Sequence, residues 1–155
     1  MKPGLIIGLN KRRGGLKQNE KDVRHLEKLA SHVSKMGWDV IFEKGAFDSV
    51  TPSKMQIVIN SRSSRKTQLI SLLHEAGHAT LFHDPEYVKK FPNGYFGVKK
   101  PHHKRTLRHK VDVLREEIAA WEQAERIIKD LKIELDIKDF RDQRNKSILT
   151  YMNWD

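Results

Sequence analysis

The chain has 155 residues, of which 37% are hydrophobic, so it is long enough for one domain with a core, and we predict a single domain over residues 1–155. Thirty lysines and arginines against 20 aspartates and glutamates give a formal net charge of +10 at pH 7. Because there is no cysteine, disulfides and thiolate metal sites are excluded.

Residues 1–16 are basic and rich in glycine, and we predict a flexible N-terminal arm there. The segment does not match a phosphate-binding loop, since no Gly-Lys-Ser/Thr follows at the required distance. Its apolar part is too short and too interrupted for a signal peptide, and no run in the chain approaches membrane-spanning length. We therefore expect a soluble protein of the cytoplasm.

One helix and two strands are predicted next. Asn19 is a suitable N-cap for a helix whose apolar residues recur at steps of three and four up to Gly37. Residues 38–42 and 55–60 have the composition of strands, and the connection between them is rich in turn residues. If residues 55–60 form a sheet edge along a cleft, a substrate can dock there as an added strand. Residues 61–64 then form a turn that caps the following helix.

That helix contains the motif His-Glu-x-x-His inside an apolar run. Residues i and i+4 lie on one face of a helix, so His74 and His78 can direct two ring nitrogens at one metal ion. Glu75 lies beside them, where its carboxylate can reach a metal-bound water as a general base without being a ligand. Gly77 indicates close approach by another element, because glycine inside a helix costs about 1 kcal/mol relative to alanine. The motif predicts a catalytic zinc site.

Glycine and proline interrupt residues 84–101, and we expect little regular structure across this segment. Loops held near a site often carry function, so Tyr95 is a candidate donor to a developing oxyanion. The alternative is a tyrosine packed on the surface of the loop.

From Lys99 to Lys110 there are six cationic side chains, three histidines and no acidic residue. Positive charge at the start of a helix opposes the helix dipole, which indicates either a loop or a polyanionic partner. Nucleic acid is therefore a candidate partner, against the alternative of a solvated basic run.

A long helix is predicted from residue 106 or 112 to about residue 135, and it offers a third metal ligand. A catalytic zinc needs three protein ligands and one open position for water. On a helical wheel centred on Leu114, Glu117 falls on the apolar face and Glu116 at its margin. A carboxylate on such a face is costly unless it is paired with a buried cation or bound to a metal. We predict Glu117 as the third ligand, with Glu116 as the fallback.

Other side chains are weaker candidates for this ligand. His102 and His103 follow a loop that contains glycine and proline, and they are the main alternative. His83 points about 180° away from His74 if the helix continues. Asp84 would need a preceding glycine turn that the sequence lacks. A final helix, capped by Asp136 or Asp139, is predicted to pack back on the body.

Residues 55–128 contain, in this order, a strand, a polar turn, a helix reading Leu-Leu-His-Glu-Ala-Gly-His-Ala-Thr-Leu-Phe-His and a distant helix that carries a glutamate. This arrangement resembles the ImmA/IrrE group of small zinc metallopeptidases. The resemblance implies histidine ligands at His74 and His78, a base at Glu75 and a glutamate ligand at Glu117. It also implies cytoplasmic cleavage of protein substrates, often DNA-binding repressors. The second motif usually has Glu-Ala followed by Phe-Ala, whereas Glu-Ile-Ala-Ala-Trp stands here. Small size and high charge also fit a phage-encoded member.

Two further hypotheses stay open. A zincin similar to the SprT and Spartan proteases, which act on proteins attached to DNA, would take its third ligand from His102 or His103. A metal-stabilised module that binds nucleic acid or a regulatory protein would need no catalysis at all. We predict an α+β, zincin-like domain, with a small mixed sheet, an active-site helix and a glutamate-bearing helix. The predicted reaction is hydrolysis of peptide bonds in an intracellular protein.

Overall fold

The computed structural model describes residues 5–96 and 106–153, with side chains described from residue 17 onward. The elements follow in the order α1 (Leu5–Lys35), β1 (Asp39–Glu43), β2 (Ser49–Thr51), β3 (Gln56–Asn60), α2 (Arg65–Phe82), α3 (Tyr87–Lys90), α4 (Leu107–Asp130) and α5 (Ile137–Met152). A short 3-10 turn, Pro52–Lys54, connects β2 to β3. The architecture is α+β, as predicted.

The sheet is small and mixed, with the strand order β1-β3-β2. β3 pairs in parallel with β1 and antiparallel with β2, so that Ile57 lies between Val40 and Val50. The condition that residues 55–60 form a sheet edge is not met, because both sides of β3 are paired. β2 was not predicted, because it has three residues, too few for an alternating pattern to be visible, and its segment was assigned to a turn-rich connection.

α1 begins at Leu5, before the N-cap predicted at Asn19, so residues 5–16 continue this helix where an arm was predicted. Its end agrees with the sequence, since the helix stops at Lys35 and Gly37 adopts a φ of 88°. This left-handed conformation is strained for residues with a side chain, which is why glycine ends the helix and lets the chain turn into β1.

The other long helices begin where polar side chains cap them. Ser64 caps α2, Thr106 caps α4 and Asp136 caps α5, each by accepting a hydrogen bond from a backbone N–H in the first turn. These starts confirm the predicted turn at residues 61–64, the earlier of the two starts predicted for the long helix, and Asp136 as the cap of the last helix. The short α3 is a difference, because little regular structure was expected after residue 84.

α2 lies at the centre of the molecule, and nearly all of its faces are buried. Its apolar side chains contribute to one core that joins α1, the sheet, α4 and α5, and they include Leu69, Ile70, Leu72, Leu73 and Ala76. The largest fully buried apolar side chains include Trp38, Trp121, Phe140, Leu29, Ile57, Ile59, Leu69, Leu72 and Leu73. Over the ranges given above, no helix combines the length and the apolar character needed to cross a membrane.

α2 and α4 cross in very close contact at Gly77. A Cβ atom built on Gly77 would lie 2.1 Å from the carbonyl oxygen of Ala120. Only a residue without a side chain permits this approach, which agrees with the close contact predicted from a glycine inside a helix. The crossing brings the face of α4 that carries Glu117 against the face of α2 that carries His74 and His78.

Candidate metal centre

Three predicted ligands converge from two helices. The Nε2 atoms of His74 and His78, one helical turn apart on α2, lie 3.0 Å from each other. From α4, Glu117 places Oε2 3.0 Å from His74 Nε2 and Oε1 3.3 Å from His78 Nε2. One potential ligand atom from each side chain lies within 4.8 Å of the others. The structure therefore assembles the predicted His-His-Glu group.

The geometry of this group fits a divalent metal. In tetrahedral coordination with bonds of about 2.0–2.1 Å to zinc, ligand atoms lie about 3.3 Å apart. The separations of 3.0 to 3.3 Å are close to that value. Glu117 Oε2 is buried, and its 3.0 Å contact with His74 Nε2 does not have the geometry of a hydrogen bond. A buried carboxylate oxygen without a hydrogen bond is costly, and a bound cation would satisfy it.

The electrostatics of the group also favour a cation. Burial alone would raise the pKa of Glu117, but contacts with His74 and His78 outweigh it and hold that pKa well below its usual range. Burial would lower the pKa of His78, yet contacts with Glu116 and Glu117 raise it to about 10. Without a metal, a proton on His78 thus compensates the buried carboxylates, and a metal ion would replace that proton.

Glu75 lies beside the group, as predicted for a base. It is buried, and it lines the same cleft as His74 and His78. Burial raises the pKa of Glu75, and the two neighbouring histidines only partly offset this effect. A carboxylate with a raised pKa is better suited to accept and release a proton than one with an ordinary pKa.

The cleft over this group has a volume of about 220 Å³. One wall is formed by β2 with the residue before it, the floor by α2 and Glu117, and the remaining wall by the loop after α3 and by the end of α5. The lining residues are Asp48, Ser49, Val50, His74, Glu75, His78, Tyr95, Phe96, Glu117 and Tyr151. The strand that borders the cleft is thus β2. The sequence analysis had considered residues 55–60 for this place.

Residues 36–97 match the sequence model of the IrrE N-terminal-like domain of the M78 peptidases. The match supports the resemblance to ImmA/IrrE-like metallopeptidases predicted from the sequence. No curated protein and no solved structure matches the chain significantly. The matched segment of the M78 domain contains His74, Glu75, His78 and Tyr95 but ends before α4. The place of Glu117 in the site consequently rests on the geometry described above.

Trp121 occupies the position where ImmA/IrrE-like proteins were expected to have phenylalanine. It follows Glu117 by one helical turn on α4, and its ring stacks on His74 with centroids 4.3 Å apart and planes inclined by 25°. The indole therefore fixes the orientation of one histidine, while the glutamate four residues earlier approaches both. Both residues of the Glu-x-x-x-Trp spacing therefore contact histidines of the candidate metal centre.

Tyr95 lines the cleft of the candidate metal centre, so the alternative of a tyrosine packed on the surface of the loop is wrong. Its hydroxyl donates a hydrogen bond of 2.8 Å to Glu117 Oε1. Tyr151, near the end of α5, was missed by the sequence analysis, and its ring lies 6.4 Å from that of Tyr95. Burial and the charge of Glu117 raise the pKa of Tyr151 to about 12, so this phenol is protonated at neutral pH and can donate.

Glu116, the predicted fallback for Glu117, lies on the other side of His78. Its Oε1 is 3.7 Å from His78 Nδ1, the nitrogen that faces away from the three-residue group. Both glutamates are buried, each with 1% exposure, whereas Ile118 is 40% exposed. The centre of the buried face of α4 therefore lies about 90° around the helix from Leu114, on which the helical wheel was centred. The difference arises because this face packs on a polar site rather than on a purely apolar surface.

The other predicted candidates lie elsewhere. His83 accepts a hydrogen bond of 2.8 Å from Trp38 Nε1 at the end of α2, and Asp84 pairs with Lys90 at 2.6 Å. His102 and His103 lie outside the described residues, as does most of the basic run from residue 99 to residue 110. Within the described part of that run, His109 is buried, so it belongs to the packed structure rather than to a solvated surface.

A larger cleft, of about 450 Å³, lies between α1 and the start of α5. Its charged groups are engaged with each other, since Lys66 pairs with Asp139 at 2.6 Å and Lys21 pairs with Glu134. Among the described residues, no histidine lines this cleft. The candidate metal centre accordingly lies in the smaller cleft.

Proposed function

We propose that the protein is a zinc-dependent endopeptidase that hydrolyses peptide bonds of an intracellular protein. The convergence of His74, His78 and Glu117 beside Glu75 is the observation that supports this function most. The match to the M78 peptidases supports a peptidase in general. Two imidazole nitrogens and one carboxylate oxygen form a ligand set used by catalytic zinc sites, which supports zinc among the divalent metals.

When bound, zinc would supply a water of lowered pKa and polarise the scissile carbonyl group. Glu75 accepts the proton of the attacking water and then delivers it to the leaving amine nitrogen, so that the C–N bond breaks after the new C–O bond has formed. Tyr151 borders the cleft as a protonated phenol, and we assign it to donate a hydrogen bond to the developing oxyanion. Tyr95 would have to release its hydrogen bond to Glu117 to take the same role.

We further propose that β2 binds the substrate as an added strand. In the described part of the chain, β2 pairs with β3 on one side only, and Ser49 and Val50 line the cleft. An exposed strand edge offers backbone hydrogen bonds to an extended peptide, which holds the peptide in line with the catalytic groups.

Metal content and its dependence on Glu117 test this function. The purified protein is expected to hold about one zinc ion per chain, and removal of the metal by a chelator should abolish hydrolysis. Glu117→Ala should weaken zinc binding by more than about 100-fold, since loss of an outer-shell partner already costs about 10–100-fold. Affinity is measured by competition with a chromogenic chelator. Glu122→Ala, at an exposed position of the same helix, is the control and should bind zinc as the wild type does.

A histidine as third ligand, as in the SprT-like hypothesis, gives the opposite result. His102→Ala or His103→Ala would then abolish zinc binding, and Glu117→Ala would not. The position of Glu117, with its oxygens 3.0 and 3.3 Å from the two histidines, favours the glutamate. A wild-type protein without bound zinc would contradict both peptidase hypotheses.

For the substrate we propose a DNA-binding regulator in the cytoplasm. The net charge of +10 would attract the enzyme to nucleic acid, so that it meets such a regulator on its DNA. Binding to a duplex should then weaken steeply with rising salt. A measured affinity that does not change with salt would contradict this partner.

A further inference from the structure

We infer that Glu116 is a positioning residue that holds the ligand His78 and the loop carrying Tyr95 in one arrangement. The inference rests on the proposed zinc site, because it assigns His78 as a metal ligand. It gives Glu116 a role of its own, separate from the fallback role predicted from the sequence.

Glu116 makes three contacts from a fully buried position. Its Oε1 accepts a hydrogen bond of 2.7 Å from the Tyr87 hydroxyl, and its Oε2 accepts one of 3.2 Å from the Tyr95 backbone N–H. His78 Nδ1 lies 3.7 Å from Oε1. One carboxylate thus contacts α3, the active-site loop and α2 at once.

The burial of Glu116 is unusual for a carboxylate without a strong cationic partner. Among the described residues, no lysine or arginine pairs with it. Removing a carboxylate from water costs several kcal/mol unless its oxygens are satisfied. The Tyr87 hydroxyl and the Tyr95 amide satisfy them in part, which leaves His78 as the cationic or hydrogen-bonding partner on the side of the metal.

His78 needs an acceptor at its outer nitrogen. When Nε2 binds a metal, Nδ1 must carry the proton, and metal-ligating histidines usually donate this N–H to a carboxylate or carbonyl group. His78 Nδ1 is buried and has no hydrogen-bond partner within the described ranges. At 3.7 Å, Glu116 Oε1 is just beyond hydrogen-bonding distance, so a small rotation of the ring brings the two into contact.

The loop is shaped to receive this carboxylate. A Cβ atom on Gly94 would lie 2.6 Å from Glu116 Oε2, so glycine is needed where the loop passes over Glu116. One helical turn earlier on α4, Asp112 Oδ2 accepts two hydrogen bonds of 3.0 Å from the backbone and side chain of Asn93. One turn earlier again, His109 Nδ1 lies 2.6 Å from the Asn93 carbonyl oxygen. Successive turns of α4 therefore hold the loop, and Glu116 is the contact that also reaches a metal ligand.

Glu116→Gln tests the inference. An amide offers one acceptor and one donor where the carboxylate offers two acceptors, so one of the three contacts must be lost. If the amide nitrogen faces His78, zinc affinity should fall by about 10–100-fold, the usual effect of removing an outer-shell partner. If it faces the loop, the Tyr95 amide hydrogen should exchange faster instead. In both cases the metal-free protein should unfold at nearly the wild-type temperature. Glu122→Gln, exposed on the same helix, is the matched control and should change neither zinc affinity nor exchange.

Gly94→Ala is the second variant, and it decides the question if Glu116→Gln does not fold. It leaves the charge of Glu116 in place but displaces the carboxylate, so zinc affinity should fall here as well. A folded variant of either kind that binds zinc as tightly as the wild type, with unchanged exchange at Tyr95, would overturn the inference. If the wild type itself binds no zinc, the proposed function fails instead, so the two failures are distinguishable.

Discussion

Glu75→Gln is expected to abolish peptide hydrolysis while the metal stays bound and the fold stays intact. Glutamine has nearly the shape of glutamate but cannot accept the proton of the attacking water. General acid–base groups contribute about 10²–10⁴-fold to rates, so hydrolysis should fall by at least about 100-fold. Because burial disfavours the charged form of Glu75 and raises its pKa, a neutral amide of the same shape should not destabilise the fold.

The measurement combines cleavage of an unfolded protein substrate with zinc content and the thermal midpoint of unfolding. Glu122→Gln is again the control, since it removes the same charge from an exposed position. Retention of wild-type hydrolysis by Glu75→Gln would exclude Glu75 as the base. If the biological effect of the protein survives a variant that no longer hydrolyses peptides, the chain acts as a metal-stabilised binding module, the alternative from a different class.

The parts of the site that were predictable are those encoded by local spacing. His74 and His78 are four residues apart on one helix, and helical geometry alone brings their rings together, which the separation of 3.0 Å confirms. Glu117 is 39 positions after His78, so its approach depends on how α4 packs on α2 and not on local geometry. It was found because a carboxylate on an apolar face requires an explanation.

The parts that were missed depend on packing between distant segments. The wheel of α4 was centred on apolar side chains, whereas its buried face includes Glu116 and Glu117 because it covers the polar centre on α2. Glu116 and Glu117 were treated as alternatives for one role, and the structure places them on opposite sides of His78. Tyr151 gives no signal in the sequence, since a tyrosine in an amphipathic helix is typical of a core position. Its place at the cleft follows from the return of α5 to the body.

Gly77 is needed for the metal centre in addition to the ligands. The metal centre exists only where α2 and α4 cross closely enough for Glu117 to reach both histidines. Gly77, between His74 and His78 on α2, permits this approach, with the Ala120 carbonyl oxygen 2.1 Å from where a Cβ atom would lie. A larger residue at this position would act on the fold and on the metal site together.

Gly77→Ala is therefore expected to destabilise the protein, although alanine has the higher helix propensity. Propensity alone would stabilise α2 by about 1 kcal/mol. Overpacking of a well-packed contact costs about 1–3 kcal/mol or more, and here the contacted atoms belong to the backbone, which yields less readily than a side chain. A net loss of about 1–2 kcal/mol would lower the midpoint of thermal unfolding by about 2–8 °C in a domain of this size.

Zinc affinity should fall in the same variant, since separation of the helices withdraws Glu117 from the histidines. Adding Ala120→Gly distinguishes a backbone clash from a side-chain clash: the introduced Cβ atom would meet the carbonyl oxygen of residue 120, so removal of the Ala120 methyl group should not restore stability. A higher unfolding temperature with unchanged zinc affinity would show that the helices separate without effect on the metal centre. The close crossing would then have no part in building the site.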